Sequence, residues 1–209
     1  MKKTIEVLAT LFFTVFLSVQ ISAQEYEGKF QLIQPNQPTQ TGDKIEVIEV
    51  FWYGCPHCYA FEPYIDKWLE TRADDVEFIR IPGVLNQSWV PQAKAYYVAE
   101  KLGVVDKIHK PLFDAIHKDK KPLYTEAELE KFFTSHGVNK DEFTKTFNSN
   151  ELDVKIKQAY FTARNYKLTG VPSIMVNGKY LSTATLAKSF DNLIDVINYL
   201  VEQERNTSN

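Results

Sequence analysis

Cysteine is scarce in this chain. Of 209 residues only Cys55 and Cys58 carry a thiol, which excludes the short, cysteine-dense scaffolds that disulfides hold together. Stability must come from packing, and aromatic residues at 13% provide for it. An excess of positive charge is also missing. The 24 basic side chains are outnumbered by 27 acidic ones, and no basic stripe marks a nucleic-acid surface. The four histidines, His57, His109, His117 and His136, show none of the paired spacings of a zinc site, so no metal is expected. Haem attachment would need histidine directly after the second cysteine, where Tyr59 stands. Internal repeats and low-complexity tracts are absent. The apolar run from Val7 to Val19 is too short for a confident membrane span, which takes about 20 residues.

What is present at the N-terminus has the order of a secretory signal peptide. Met1, Lys2 and Lys3 precede the apolar run and Ile21-Ser22-Ala23 follows it, so residues 1–23 read as a leader cut after Ala23, with an uncleaved anchor as the alternative. Residues 24–43, with "QPNQPTQTGD", read as an extended arm with little regular structure. Next, "KIEVIEVFWY" (44–53) predicts a strand covered on both faces, with Ile45, Val47, Glu49, Phe51 and Tyr53 on one side. A helix is expected to start at Cys55, because Pro56 suits the first helical position and Cys58, Phe61, Ile65, Trp68 and Leu69 recur at helical spacing. "VEFIRIP" (76–82) predicts a second strand.

From about Asn86 to Tyr166 the pattern is helical, with Thr125/Glu128 and Asn139/Glu142 at capping-box spacing. "PSIMV" and "KYL" flank Asn177-Gly178, the strongest short-range hairpin signal. A final amphipathic helix is marked by Leu186, Phe190, Leu193, Ile194, Ile197, Leu200 and Val201. The order predicts an α/β, thioredoxin-like fold, discontinuous over residues 24–85 and 161–209, with an all-helical domain inserted over 86–160.

The two cysteines could form a structural disulfide, a metal clip or a reactive pair. A closed loop of four residues is worth only about 2 kcal/mol as a staple, and a metal clip lacks further ligands. A cysteine at a helix start, however, meets unpaired N–H groups and the positive end of the macrodipole, which lower its pKa. His57 adds a hydrogen bond or a positive charge. On this reading Cys55 is the exposed nucleophile and Cys58, one turn deeper, the buried resolving thiol. Glu49 sits where a charge is costly. It is either a proton-exchange partner for Cys58 or a carboxylate paired with a cation such as Arg80. His109, His117 and His136 are expected on the solvated surface. Trp52, Trp68 and Trp89 are expected in packing, and Tyr59 and Phe61 beside a peptide-binding surface.

The stretch "CPHCYAFEP" after "EVFWYG", together with "GVPSIMVNGKY" at 170–180, resembles the DsbA-like periplasmic thiol:disulfide oxidoreductases of the thioredoxin superfamily. The resemblance implies a dithiol oxidase that passes the Cys55–Cys58 disulfide to newly exported proteins through a mixed disulfide at Cys55, with Pro56 and His57 tuning the pair and no cofactor. It implies a cis bond between Val171 and Pro172 in a loop that faces the pair and binds extended substrate. It also implies reoxidation by a DsbB-like inner-membrane quinone reductase. A disulfide isomerase or reductase on the same fold is the rival, although the roughly 20 residues before the first strand leave little room for the N-terminal dimerisation domain such proteins usually carry. A redox-inert peptide-binding or chaperone module is the alternative of another class.

Overall fold

The computed structural model describes residues 25–207; the expected leader at 1–23 lies outside the described residues. Five strands form one sheet: β1 (Gln31–Leu32), β2 (Ile45–Phe51), β3 (Val76–Pro82), β4 (Ser173–Val176) and β5 (Tyr180–Thr183), in the order β1-β5-β4-β2-β3. Among the described residues only β2 and β3 pair in parallel, joined by the crossover helix α1 (Pro56–Thr71). The other neighbours are antiparallel. Between β3 and β4 run α2 (Val90–Lys101), α3 (Val105–His117), α4 (Glu126–Ser135), α5 (Lys140–Phe147) and α6 (Asn150–Asn165). The short α7 (Ala184–Ala187) and the long α8 (Phe190–Thr207) close the chain. This is a thioredoxin-like sheet with a helical insertion; the boundary expected at 160 falls inside α6.

Strand alternation divides the core in two. Ile45 and Val47 of β2, with Ile174 and Val176 of β4, pack against Phe61, Ile65 and Trp68 of α1 and Leu193, Ile197 and Leu200 of α8. Ile48, Val50 and Met175 face the opposite way, toward the helical segment. Every residue of β2 is buried, as its near-continuous apolar run requires of a central strand. Beyond Glu49 the first face changes cover: Phe51 and Tyr53 pack with Phe113 of α3.

Local sequence signals account for most boundaries. Thr125 and Glu128 make both bonds of a capping box at the start of α4, and Asn139 accepts from the N–H groups of Asp141 and Glu142 at the start of α5. The arm departs from expectation, because Gln31–Leu32 pair with Leu181 and Tyr180 as an edge strand. Leu186 also departs: Lys188, at φ +78, breaks the predicted C-terminal helix and leaves Leu186 on α7.

The hairpin turn pins the arm. Asn177 and Gly178 both have positive φ, +49 and +68, as a type I′ turn demands, and Gln37 N–H donates to the Gly178 carbonyl at 2.8 Å. A Cβ at Gly178 would stand 2.0 Å from the Gln37 carbonyl oxygen. Gly178→Ala is therefore expected to cost about 2 kcal/mol or more, combining left-handed backbone with a clash. A urea midpoint unchanged from the parent would contradict this.

Candidate active site

At the C-terminal end of β2 the chain turns through Trp52, Tyr53 and Gly54 into α1. Gly54 is required by close approach, since a Cβ there would lie 2.3 Å from the Trp52 ring. Trp52 is stacked on Trp89, ring centroids 4.2 Å apart and planes 5° from parallel. Cys55 N–H donates to the Trp52 carbonyl at 2.9 Å, and Cys55 becomes the N-cap of α1 with Pro56 in the first turn. Its sulfur accepts the Cys58 N–H at 3.4 Å. A sulfur in the N-cap position thus does what a serine or aspartate oxygen usually does there.

This placement separates the two thiols. The hydrogen bond from the Cys58 thiol, helped by the N–H groups of Cys58 and His57 and by the His57 charge, lowers the Cys55 pKa to about 6 against the opposing effect of burial. Burial, followed by the bond to Cys55, pushes Cys58 well above its ordinary value, and Glu49 adds to the rise. Cys58 is fully buried, as expected. Cys55 is not the exposed residue the sequence suggests, being only 7% accessible. Its cover comes from far along the chain: the Cys55 thiol donates to the Val171 carbonyl at 3.4 Å. That bond belongs to the thiol form, and ionisation of Cys55 must break it.

Val171–Pro172 is a cis peptide. Beside this loop lies a groove of about 610 Å³ lined by His57, Lys167, Val171, Pro172, Leu181 and Leu186 among others. The structure therefore brings Cys55, Cys58, Pro56, His57, Val171 and Pro172 to one place.

Behind the thiols is a buried polar cluster. Arg80 Nε donates to Glu49 Oε2 at 3.1 Å, and Arg80 Nη2 stands 3.4 Å from both Glu62 Oε2 and Asp66 Oδ1. The register makes the first contact, since Glu49 and Arg80 are directly paired on β2 and β3. Desolvation raises both Glu49 and Glu62 to about 7 even though Arg80 pulls them down.

His109, expected at the surface, is buried here. Its Nδ1 lies 2.8 Å from Tyr53 Oη and its Nε2 3.2 Å from Glu62 Oε2. His117 and His136 are half-buried rather than solvated, with Nε2 of His117 2.7 Å from the Tyr53 carbonyl and Nδ1 of His136 2.8 Å from the Phe132 carbonyl. Phe61 is fully buried between α1 and α8, away from any peptide surface. Tyr59 donates to Asp114 at 2.7 Å and stacks on His117.

Glu62 was missed by reading the sequence, although its position offers a signal. It stands one turn after Cys58, at i+4 and so on the same helix face. For His109 the signal is the stripe it shares with Leu112, Phe113 and Ile116, all buried on α3.

A family model described as "DSBA-like thioredoxin domain" matches residues 80–198. The thiol:disulfide interchange protein DsbA of Azotobacter vinelandii is 42% identical over 168 residues, covering 80% of this chain and 78% of that protein. The protein of the same name from Pseudomonas aeruginosa is 37% identical over 185 residues, covering 88% of each. A crystal structure of Pseudomonas aeruginosa DsbA superposes with a TM-score of 0.83 over 87% of this chain and 94% of that one. Neisseria meningitidis NmDsbA1, at 20% identity and a TM-score of 0.76, shares the fold. With a reactive-type cysteine pair at a helix N-cap and relatives at this level of identity, the chain belongs to the DsbA-like thioredoxin-domain family and is a thiol:disulfide oxidoreductase.

Proposed function

We propose that the protein is a dithiol oxidase for exported proteins, working in the periplasm and delivered there by residues 1–23. The observation that carries this reading is the N-cap position of Cys55, where its sulfur accepts the Cys58 N–H at the start of α1. In the disulfide form, a substrate thiolate attacks Cys55 Sγ, the Cys55–Cys58 bond breaks, and Cys58 leaves and takes a proton. A second substrate thiolate then attacks the substrate sulfur of the mixed disulfide and Cys55 departs as a thiolate. The substrate loses two electrons and the enzyme gains them. His57 and Pro56 serve the pair, Glu49 is the proton donor to Cys58, and substrate lies in the groove along Val171 and Pro172. The relatives' shared name, thiol:disulfide interchange protein DsbA, supports the reaction class. Reoxidation falls to a DsbB-like inner-membrane quinone reductase. Among the described residues no helix is long and apolar enough to cross a membrane. The helical segment 86–160 acts as an insertion domain that shares a hydrophobic core with the thiols.

The reduction potential tests this reading and has a worked sign. A thiol whose folded pKa is depressed stabilises the reduced protein above that pKa, and the contribution fades as pH falls through it. Below pH about 6 reduction takes up two protons, and above it only one, because Cys55 remains a thiolate while Cys58 keeps its proton. The potential should fall by about 59 mV per pH unit below the break and about 30 mV above it. Equilibration with glutathione across this range measures it. A single slope through pH 6, or a strongly reducing potential, would sink the oxidase reading.

A further inference from the structure

Two carboxylates and one guanidinium share the space between β2, α1 and β3. Glu49 is fully buried, Glu62 nearly so, and one carboxylate oxygen of each lacks a hydrogen-bond partner among the described residues. Arg80 balances one negative charge; Asp66, the third acid it reaches, is exposed to water and stands outside the buried count. A second buried carboxylate without a second cation carries a proton instead of a charge near neutral pH. Of the two, Glu49 is the one whose charge bears on the Cys58 thiol, so which carboxylate carries the proton matters to that thiol.

His109 supplies the asymmetry. Its ring is enclosed by Phe51, Tyr53, Tyr96 and Phe113 and is held near neutrality by burial, with a pKa of about 3. Tyr53 is buried, and its hydroxyl has only His109 Nδ1 as a partner among the described residues. A buried O–H with one acceptor in reach donates to it, because an orphaned donor costs its full desolvation. Nδ1 is therefore the acceptor and Nε2 carries the ring hydrogen. That N–H faces Glu62 Oε2 at 3.2 Å, off the line of a regular hydrogen bond and with no other partner among the described residues. A positive hydrogen there favours Glu62 as the carboxylate and disfavours a carboxylic acid. The opposite tautomer would turn a lone pair on Glu62 and favour the acid.

We propose that His109 is a positioning residue which, with its tautomer fixed by Tyr53, holds Glu62 ionised and places the shared proton of the cluster on Glu49. The charged and titratable groups that face it are Glu49 from β2, Tyr53 from the turn after it, Glu62 and Asp66 from α1, Arg80 from β3 and Tyr96 from α2, with Lys110 on its own helix acting on Glu62. The use of that proton rests on the exchange between Glu49 and Cys58 proposed above, whereas its location does not.

The test is a carboxyl carbon NMR titration of the reduced, glutamate-labelled protein, with the two signals assigned through Glu49→Gln and Glu62→Gln. Glu49 should titrate at the higher pH in the parent. His109→Phe keeps a ring but removes the N–H, and should lower the Glu49 midpoint and raise that of Glu62 by about one unit, roughly a tenfold change in each proton affinity. His109→Gln, whose amide again offers an N–H, should restore the parent order. Unchanged midpoints in a folded His109→Phe protein overturn the proposal. So does a parent in which Glu62 titrates above Glu49, which decides the matter even if His109→Phe does not fold. Glu49→Gln should also slow protonation of the departing Cys58. If it does not, while the midpoints move as described, the exchange reading fails and the placement of the proton stands.

Discussion

Replacing Cys55 by serine is expected to abolish dithiol oxidation, leaving substrate thiols to oxidise at the rate seen without enzyme, while the fold survives. The loss is complete because no disulfide can form and no partial chemistry substitutes for it. Survival follows from the same atom: Cys55 Sγ caps α1 by accepting the Cys58 N–H, and a serine oxygen is a preferred N-cap, so stability should change by less than about 1 kcal/mol. Cys58→Ser is equally inactive as an oxidase but differs in reactivity. At pH 7 a thiol with a pKa of about 6 is mostly ionised, whereas one pushed well above its ordinary value is almost wholly protonated. Intrinsic nucleophilicity falls with pKa, so the more basic thiolate recovers part of that difference. Ionisation alone therefore does not set the whole contrast, and access supplies the rest. Cys55 is slightly open and Cys58 closed, so iodoacetamide should label Cys58→Ser rapidly and Cys55→Ser hardly at all. Equal labelling of the two variants, or residual turnover in Cys55→Ser, would remove Cys55 from its role.

The parts of this site that sequence displays are those set by local chemistry. Pro56 after Cys55 places the sulfur at a helix start, Asn177-Gly178 turns the hairpin, and the unbroken apolar run of β2 marks a central strand; each depends on a few adjacent residues. What sequence conceals depends on pairs far apart in the chain. Cys55 looks exposed until Val171, 116 positions later, covers it. His109 sits among charges in "KIHKPL" and looks solvated, yet it turns inward because α3 packs over the end of β2 and Tyr53 and Glu62 await it there. Glu49 illustrates the middle case. Its position on an apolar face announces a perturbed carboxylate and its register with Arg80 names a partner, but the second carboxylate, Glu62, comes from helix packing. Without Glu62 the pair would be neutral; with it the cluster holds a proton. The edge strand β1 has only two residues and so no period to detect.

Replacing Arg80 by methionine is expected to destabilise the protein by about 3–5 kcal/mol at pH 8 and much less at pH 4. Methionine keeps most of the unbranched stem that packs in this place, so the change isolates the charge. The Arg80 side chain is 13% exposed and its guanidinium touches Glu49 and Glu62, and its removal leaves two buried acids with no Lys or Arg in contact among the described residues. Burial already raises both to about 7 with Arg80 present, and Arg80 lowers them; without it both rise further. A carboxyl whose folded pKa exceeds its unfolded value, about 4.3, favours the fold fully below that unfolded value and loses the contribution as pH rises through the folded one. In the parent this loss spans roughly pH 4.3 to 7. In Arg80→Met it continues above 7, where the parent has levelled off, and there the two stabilities diverge. Below pH about 4 both acids are protonated, folded or unfolded, and the difference shrinks to lost packing and hydrogen bonds, under about 1.5 kcal/mol. Urea unfolding at the two pH values measures the gap. Arg80→Lys, which keeps the charge but loses the planar fork that reaches two acids at once, should fall between. A destabilisation of the same size at both pH values would mean that Arg80 stabilises this site by packing and not by charge.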